Sequence, residues 1–231
     1  MITRDTLGLI VPLLLPLAIM LMGASQASQE VVVNGRTVLD VYVMPIVFVM
    51  IVAFIGVGNM PSFLASYRRT GVLKRLSTTP LSPIMVLAAQ VLVSFAQAVI
   101  GMALAFGVAV AAFGANLPVH LWTALGVIAL IAGAMYGFGM IIASLAPTPN
   151  SATALGFIGF IGLGALGGMF GSREALPEPL ATIGEYLPFG AGVEALGAAW
   201  AGSAIEPLHL IALAITAVLG ALVSALFFRW E

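Results

Sequence analysis

The sequence predicts an all-α polytopic membrane protein with six transmembrane helices. Three observations lead there. Hydrophobic residues make up 61% of the 231-residue chain and charged residues only 7%, with a mean hydropathy of +1.17; a soluble domain carries about 25% charge. The apolar runs are as long as a bilayer demands, roughly 20 residues each. They are continuously apolar rather than alternating, which argues against a β-barrel. Residues 1–231 leave room for about six spans and short loops, so they read as a single transmembrane domain. Cys is absent, which excludes a disulfide, a thiolate nucleophile and a Cys-based metal site.

Span one covers 6–24. Its run Leu7 to Met22 carries Pro12 and Pro16 and reaches the upper limit of a signal-peptide core, so it is expected to be retained. Neighbouring helices can re-satisfy the carbonyls that the prolines free. A polar loop follows to Asp40, where Val31-Val32-Val33-Asn34-Gly35 suggests a small hairpin. Span two covers 41–65 and holds Pro45, Gly56, Gly58, Asn59 and Pro61.

A basic segment then interrupts the apolar pattern at 67–83. It holds Arg68, Arg69, Lys74 and Arg75, half of the eight basic residues. Ser82-Pro83 reads as a hydroxyl cap followed by proline at the first helical position. Span three covers 83–113, longer than a straight crossing needs, so it is tilted or extends beyond the bilayer. Span four covers 120–145. Pro147 to Ser151 ends it, with Ser151 expected to cap the next helix. Span five covers 152–170 and is dense in glycine.

The outer segment 171–203 is broken by Pro177, Pro179 and Pro188, and no piece of it is long enough to cross. Leu180, Ile183 and Leu187 share a helical face, as do Val193, Leu196 and Trp200. Two short helices are expected, lying at or re-entering the outer leaflet. Span six covers 207–228, and Trp230 after it suits the interfacial aromatic belt.

Orientation follows from basic residues in short loops. Six spans place both termini on one side, with Arg4, Arg68, Arg69, Lys74, Arg75 and Arg229; the other side has Arg36 and Arg173. The termini and the basic segment are therefore expected in the cytoplasm.

Catalytic chemistry finds little to stand on. His120 and His209 are the two histidines, both expected at outer span ends, and H-E-x-x-H is absent. No ionisable residue lies mid-span, which argues against a proton-coupled antiporter. The sole lysine, Lys74, follows no G-x-x-x-x-G-K-[ST] pattern. The chain is thus not expected to be an enzyme. Uphill transport would draw its energy from a partner.

The segment Tyr67-Arg68-Arg69-Thr70-Gly71-Val72-Leu73-Lys74-Arg75-Leu76-Ser77-Thr78-Thr79-Pro80-Leu81-Ser82-Pro83 resembles the signature of type-2 ABC exporter permeases, most closely the actinobacterial drug-export branch. Leu187-Pro188-Phe189 through Glu194-Ala195-Leu196 resembles the family's outer-segment pattern, and the resemblance covers nearly the whole chain. Two departures stand out. Arg69-Thr70 replaces the acidic residue common before the glycine. Only Met1 to Asp5 precede span one, where many members carry an amphipathic cytosolic helix.

The resemblance implies a multi-pass protein of the bacterial plasma membrane. It pairs with a second permease, identical or related, and with two ABC ATPase subunits that bind ATP and Mg; this chain holds no cofactor itself, and nucleic acid is not a partner. A coupling helix docks in a cleft on the ATPase. Val72, Leu73 and Leu76 would fill that cleft, Arg68, Arg69, Lys74 and Arg75 would pair with acidic rims or lipid headgroups, and Gly71 would permit the turn. The implied function is export of a small amphipathic drug or lipid-like substrate. Polysaccharide or glycolipid export uses the same fold, and a non-transporting scaffold or sensor is the alternative of another class.

Several polar residues then invite two readings. Gln90, Ser94, Gln97 and Gly101 share one face of span three. They are either a wall of the substrate path or interhelical hydrogen-bonding groups worth about 1 kcal/mol or less each, the latter weighing more. Asn59 is a further candidate for the path. Glu185, Phe189 and Glu194 are candidates for an outer gate, against a simple solvated interfacial face for the two glutamates. The Gly133-xxx-Gly137 and Gly164-xxx-Gly168 pairs read as packing faces, and span five as a surface that meets a second permease.

Overall fold

A computed structural model describes residues 6–27, 30–70, 83–171 and 173–227. Among the described residues, eight helices and one small hairpin make up the architecture. Helix α1 is Thr6–Gln26. Strands β1 (Val31–Val33) and β2 (Arg36–Thr37) pair antiparallel. Asn34 and Gly35 turn between them with φ of 47° and 72°, the left-handed values that a tight hairpin turn needs. Helix α2 is one rod, Leu39–Arg69. Helices α3 (Pro83–Phe113), α4 (Leu121–Leu145) and α5 (Pro149–Leu166) follow. A single 3-10 turn, Arg173–Ala175, leads to α6 (Glu178–Tyr186) and α7 (Pro188–Ala201), and α8 is Pro207–Phe227.

Among the described residues, five helices are long and apolar enough to cross a membrane: α2, α3, α4, α5 and α8. Helix α1 adds a shorter apolar stretch, Leu14–Gln26. The outer segment forms two helices of 9 and 14 residues, too short to cross.

Helix α2 is the axis of the molecule. Of its most apolar 18-residue window, 78% is buried inside the protein, against 28% for α3 and α5 and 22% for α8. Helices α1, α3, α4, α5 and α7 surround it. The buried side chains of α2, from Met44 through Leu64, form the centre of one continuous core.

The rod is not a uniform α-helix. Leu39–Val43 and Phe54–Asn59 are wide π-type turns, in which Met44 N–H donates to the Leu39 carbonyl and Met60 N–H to the Ile55 carbonyl. The sequence explains both. Pro45 and Pro61 follow directly, and each lacks the N–H that an α-helix would aim at Val41 or Val57. Each ring also crowds that carbonyl. Widening the turn by one residue relieves the clash.

Two neighbours exploit the second wide turn. A Cβ on Gly139 of α4 would lie 2.0 Å from the Gly56 oxygen, and one on Gly156 of α5 would lie 2.6 Å from the Val57 oxygen. Glycine alone allows this backbone approach. Helices α4 and α8 cross the same way, a Cβ on Gly220 falling 2.3 Å from Gly137 Cα. The glycine face of α5 is therefore taken up largely inside the chain. Gly156 and Gly159 meet α2, whereas Gly162 has nothing within 4 Å of an added Cβ, and Leu155, Ile158 and Ile161 are exposed beside it.

Some boundaries differ from the sequence reading for local reasons. Helix α5 starts at Pro149, and its cap is Thr148 rather than Ser151. The Thr148 hydroxyl accepts from Ser151 N–H at 3.1 Å, while the Ser151 hydroxyl accepts from Thr148 N–H at 3.0 Å, a reciprocal box with proline preset at the first position. The same helix stops at Leu166 because Gly168 turns left-handed, φ 91°.

Candidate functional site

Two ends of the bundle carry the polar chemistry. At one end α2 runs into the basic segment. Arg68 is half-buried, and its guanidinium donates to the Ala146 carbonyl, the residue that closes α4. The base of α2 is thus fastened to the turn between α4 and α5. Arg69 is exposed. Gly71, Val72, Leu73, Lys74, Arg75 and Leu76 lie outside the described residues.

Along the bundle, α3 packs on α1, α2 and the wide turn Phe54–Asn59. Gln90 and Ser94 are buried on that face. Gln90 Nε2 donates to Ser94 Oγ at 3.4 Å, a long bond within α3 rather than a link to another helix. Gln97 Nε2 is buried with no hydrogen-bond partner among the described residues. Such an orphaned amide is costly in an apolar setting. Asn59 is half-buried in the wide turn itself, and Ser62 donates to its carbonyl at 2.8 Å.

The opposite end collects the hairpin, the 114–120 loop and residues 171–206. Its hub is Asp40, which is fully buried. Its carboxylate accepts from Thr37 N–H at 3.0 Å, Asn116 N–H at 2.7 Å, Asn116 Nδ2 at 3.0 Å and the Thr37 hydroxyl at 3.2 Å. Trp200 Nε1 donates to the Asn116 carbonyl at 3.0 Å, and Asn34 Nδ2 to the Ala201 carbonyl at 2.8 Å. Hairpin, loop and α7 are therefore bolted together over the end of α2.

Beside this hub, Arg173 bridges two of the candidate gate residues. Its guanidinium lies 3.3 Å from Glu185 and 3.0 Å from Glu194. His209, at the start of α8, faces Glu185 at 3.2 Å and Glu206 at 3.9 Å. Glu185 and Glu194 are thus part of a bridged network rather than independent solvated groups. Phe189 is fully buried, where a Cβ on Gly167 would meet its ring at 2.6 Å. A cavity of about 570 Å³ opens between α1, α2, the turn after α5 and α7, with Ile19, Tyr42, Ile46, Met169, Arg173 and Glu194 on its wall.

The sequence reading brought out Glu185, Glu194 and Arg68 but not Asp40, Asn116, Arg173 or His209 as functional contacts. The available signal was charge. The outer segment with the three residues after it, 171–206, sets Arg173 among five glutamates, which makes bridging expected.

Residues 34–227 match the family model described as ABC-2 family transporter protein. No curated protein matches the chain.

Proposed function

Because this chain belongs to the ABC-2 family of transporter proteins, we propose that it is the membrane-spanning subunit of an ATP-driven exporter for a small amphipathic, drug-like or lipid-like substrate. The observation that carries the reading is the match across residues 34–227, which takes in the basic segment and all the helices from α2 to α8. On this reading α1 is the first of six crossings, both termini face the cytoplasm, and the protein sits in the bacterial plasma membrane. Two ATPase subunits with ATP and Mg bind beneath a pair of permeases.

The coupling role is assigned to Arg68, Arg69, Gly71, Val72, Leu73, Lys74, Arg75 and Leu76. The contact of Arg68 with the Ala146 carbonyl supports it, because force on the base of α2 would reach the α4–α5 turn directly. Gln90, Ser94, Gln97 and Asn59 are assigned to the substrate path. The buried Gln97 Nε2, without a partner among the described residues, supports that assignment over simple helix packing. The Arg173 bridges support a gate at Glu185 and Glu194, with Phe189 as its buried base.

The test is co-purification followed by reconstitution. The chain is expected to bring down a P-loop ATPase and to give ATP-dependent efflux of amphipathic dyes from proteoliposomes. Leu73→Asp with Leu76→Asp should leave insertion intact and abolish efflux. Failure to recover any ATPase, together with no ATP-dependent movement of dye, glycolipid or polysaccharide, leaves the scaffold or sensor reading in its place. Efflux of glycolipid or polysaccharide alone would replace the substrate class.

A further inference from the structure

We propose that Glu185, Glu206 and His209 form a binding site for one divalent transition-metal ion, clasping α6 to the start of α8. The proposal is independent of the transport reading.

Geometry comes first. One ligand atom from each residue lies within 4.8 Å of the other two. His209 Nε2 stands 3.2 Å from Glu185 Oε1 and 3.9 Å from Glu206 Oε2. Ligands held at about 2.0–2.2 Å from a tetrahedral ion sit roughly 3.3–3.6 Å apart, so small side-chain shifts seat an ion among them. Glu206 is the residue to make the shift, since its side chain is 48% exposed while that of His209 is 6% exposed. Glu206 and His209 are three apart on either side of the Pro207 helix start, which aims both at Glu185.

Charge also favours a cation here. Arg173 is matched by Glu194 at 3.0 Å and also touches Glu185 at 3.3 Å. Glu206 faces the nearly buried His209 at 3.9 Å. Carboxylates therefore outnumber the single guanidinium, and a dication among them offsets the excess.

The surroundings are also those of a site. Arg173 Nη2 takes Glu185 Oε2, which leaves Oε1 turned to His209. Outer contacts of this kind fix a ligand's orientation. The Tyr186 ring lies against the imidazole with centroids 5.6 Å apart. Glu206 and His209 line a cavity of about 350 Å³, which provides an entry path and room for a water as fourth ligand. One imidazole with two carboxylates and no sulfur suits Zn²⁺ or Mn²⁺ rather than Cu⁺, and the imidazole disfavours Ca²⁺ and Mg²⁺.

The full chain, in detergent with whatever subunits accompany it, is stripped with chelator and titrated with Zn²⁺. One equivalent per chain should remain after desalting, read by elemental analysis, and excess Mg²⁺ should not displace it. Glu206→Gln changes an exposed side chain and should weaken Zn²⁺ binding by about tenfold or more, as should His209→Ala. Retention well below one equivalent by the wild-type chain overturns the proposal. So does unchanged affinity in Glu206→Gln, even if His209→Ala fails to fold.

Discussion

Gly139→Ala tests the central packing claim most sharply. The added methyl carbon would lie 2.0 Å from the Gly56 oxygen and 2.9 Å from its carbonyl carbon, where ordinary contact begins near 3.4 Å. Both obstacles are backbone, so no rotamer change relieves them. Helix α4 must withdraw from α2 by roughly 1.4 Å at the wide turn, or the turn must deform. Overpacking costs about 1–3 kcal/mol, and a backbone collision belongs at the upper end. For a chain of this size, about 3 kcal/mol lowers the melting temperature by roughly 6–12 °C. The assay is thermal unfolding of the detergent-solubilised protein. Gly126→Ala, on the same helix with nothing within 4 Å of its added Cβ, is the control and should shift melting by less than about 2 °C. Equal melting temperatures for the two variants would refute the reasoning, because the glycine contact would then not hold α4 against α2.

Further outcomes follow from the two polar ends. Asp40→Ala strands the Asn116 and Thr37 N–H groups, so it should cost on the order of 3 kcal/mol; proteolysis at the 114–118 loop should accelerate, and unchanged cleavage would contradict the hub. On the proposed function, Arg68→Ala should reduce efflux several-fold at nearly normal expression and ATPase recovery, measured in proteoliposomes, because it frees the Ala146 carbonyl from the base of α2. Arg68→Lys should recover only part of that loss, since an ammonium lacks the guanidinium's fixed fork.

Much of the architecture was legible in the sequence. Hydropathy and run length marked the five helices that are long and apolar enough to cross a membrane, because both are properties of the local sequence. Asn34-Gly35 marked the hairpin, since few residues accept positive φ. Pro45 and Pro61 were visible within span two, but the wide turns that precede them appear only in the structure. The basic segment was recognisable from its order of residues. Composition and proline placement also excluded any crossing between 171 and 203.

Tertiary structure decided the rest. Gly139 and Gly156 look like any other glycines until α4 and α5 bring them onto the carbonyls of one wide turn. Asp40 read as the polar end of a loop, yet it is fully buried and its partner Asn116 lies 76 positions away. His209 read as an ordinary interfacial residue, and its partner Glu185 is 24 positions distant in another helix. Periodicity and propensity carry information over a turn or two of helix. Which carboxylate meets which cation depends on how the helices cross, and that is set by the packed core as a whole.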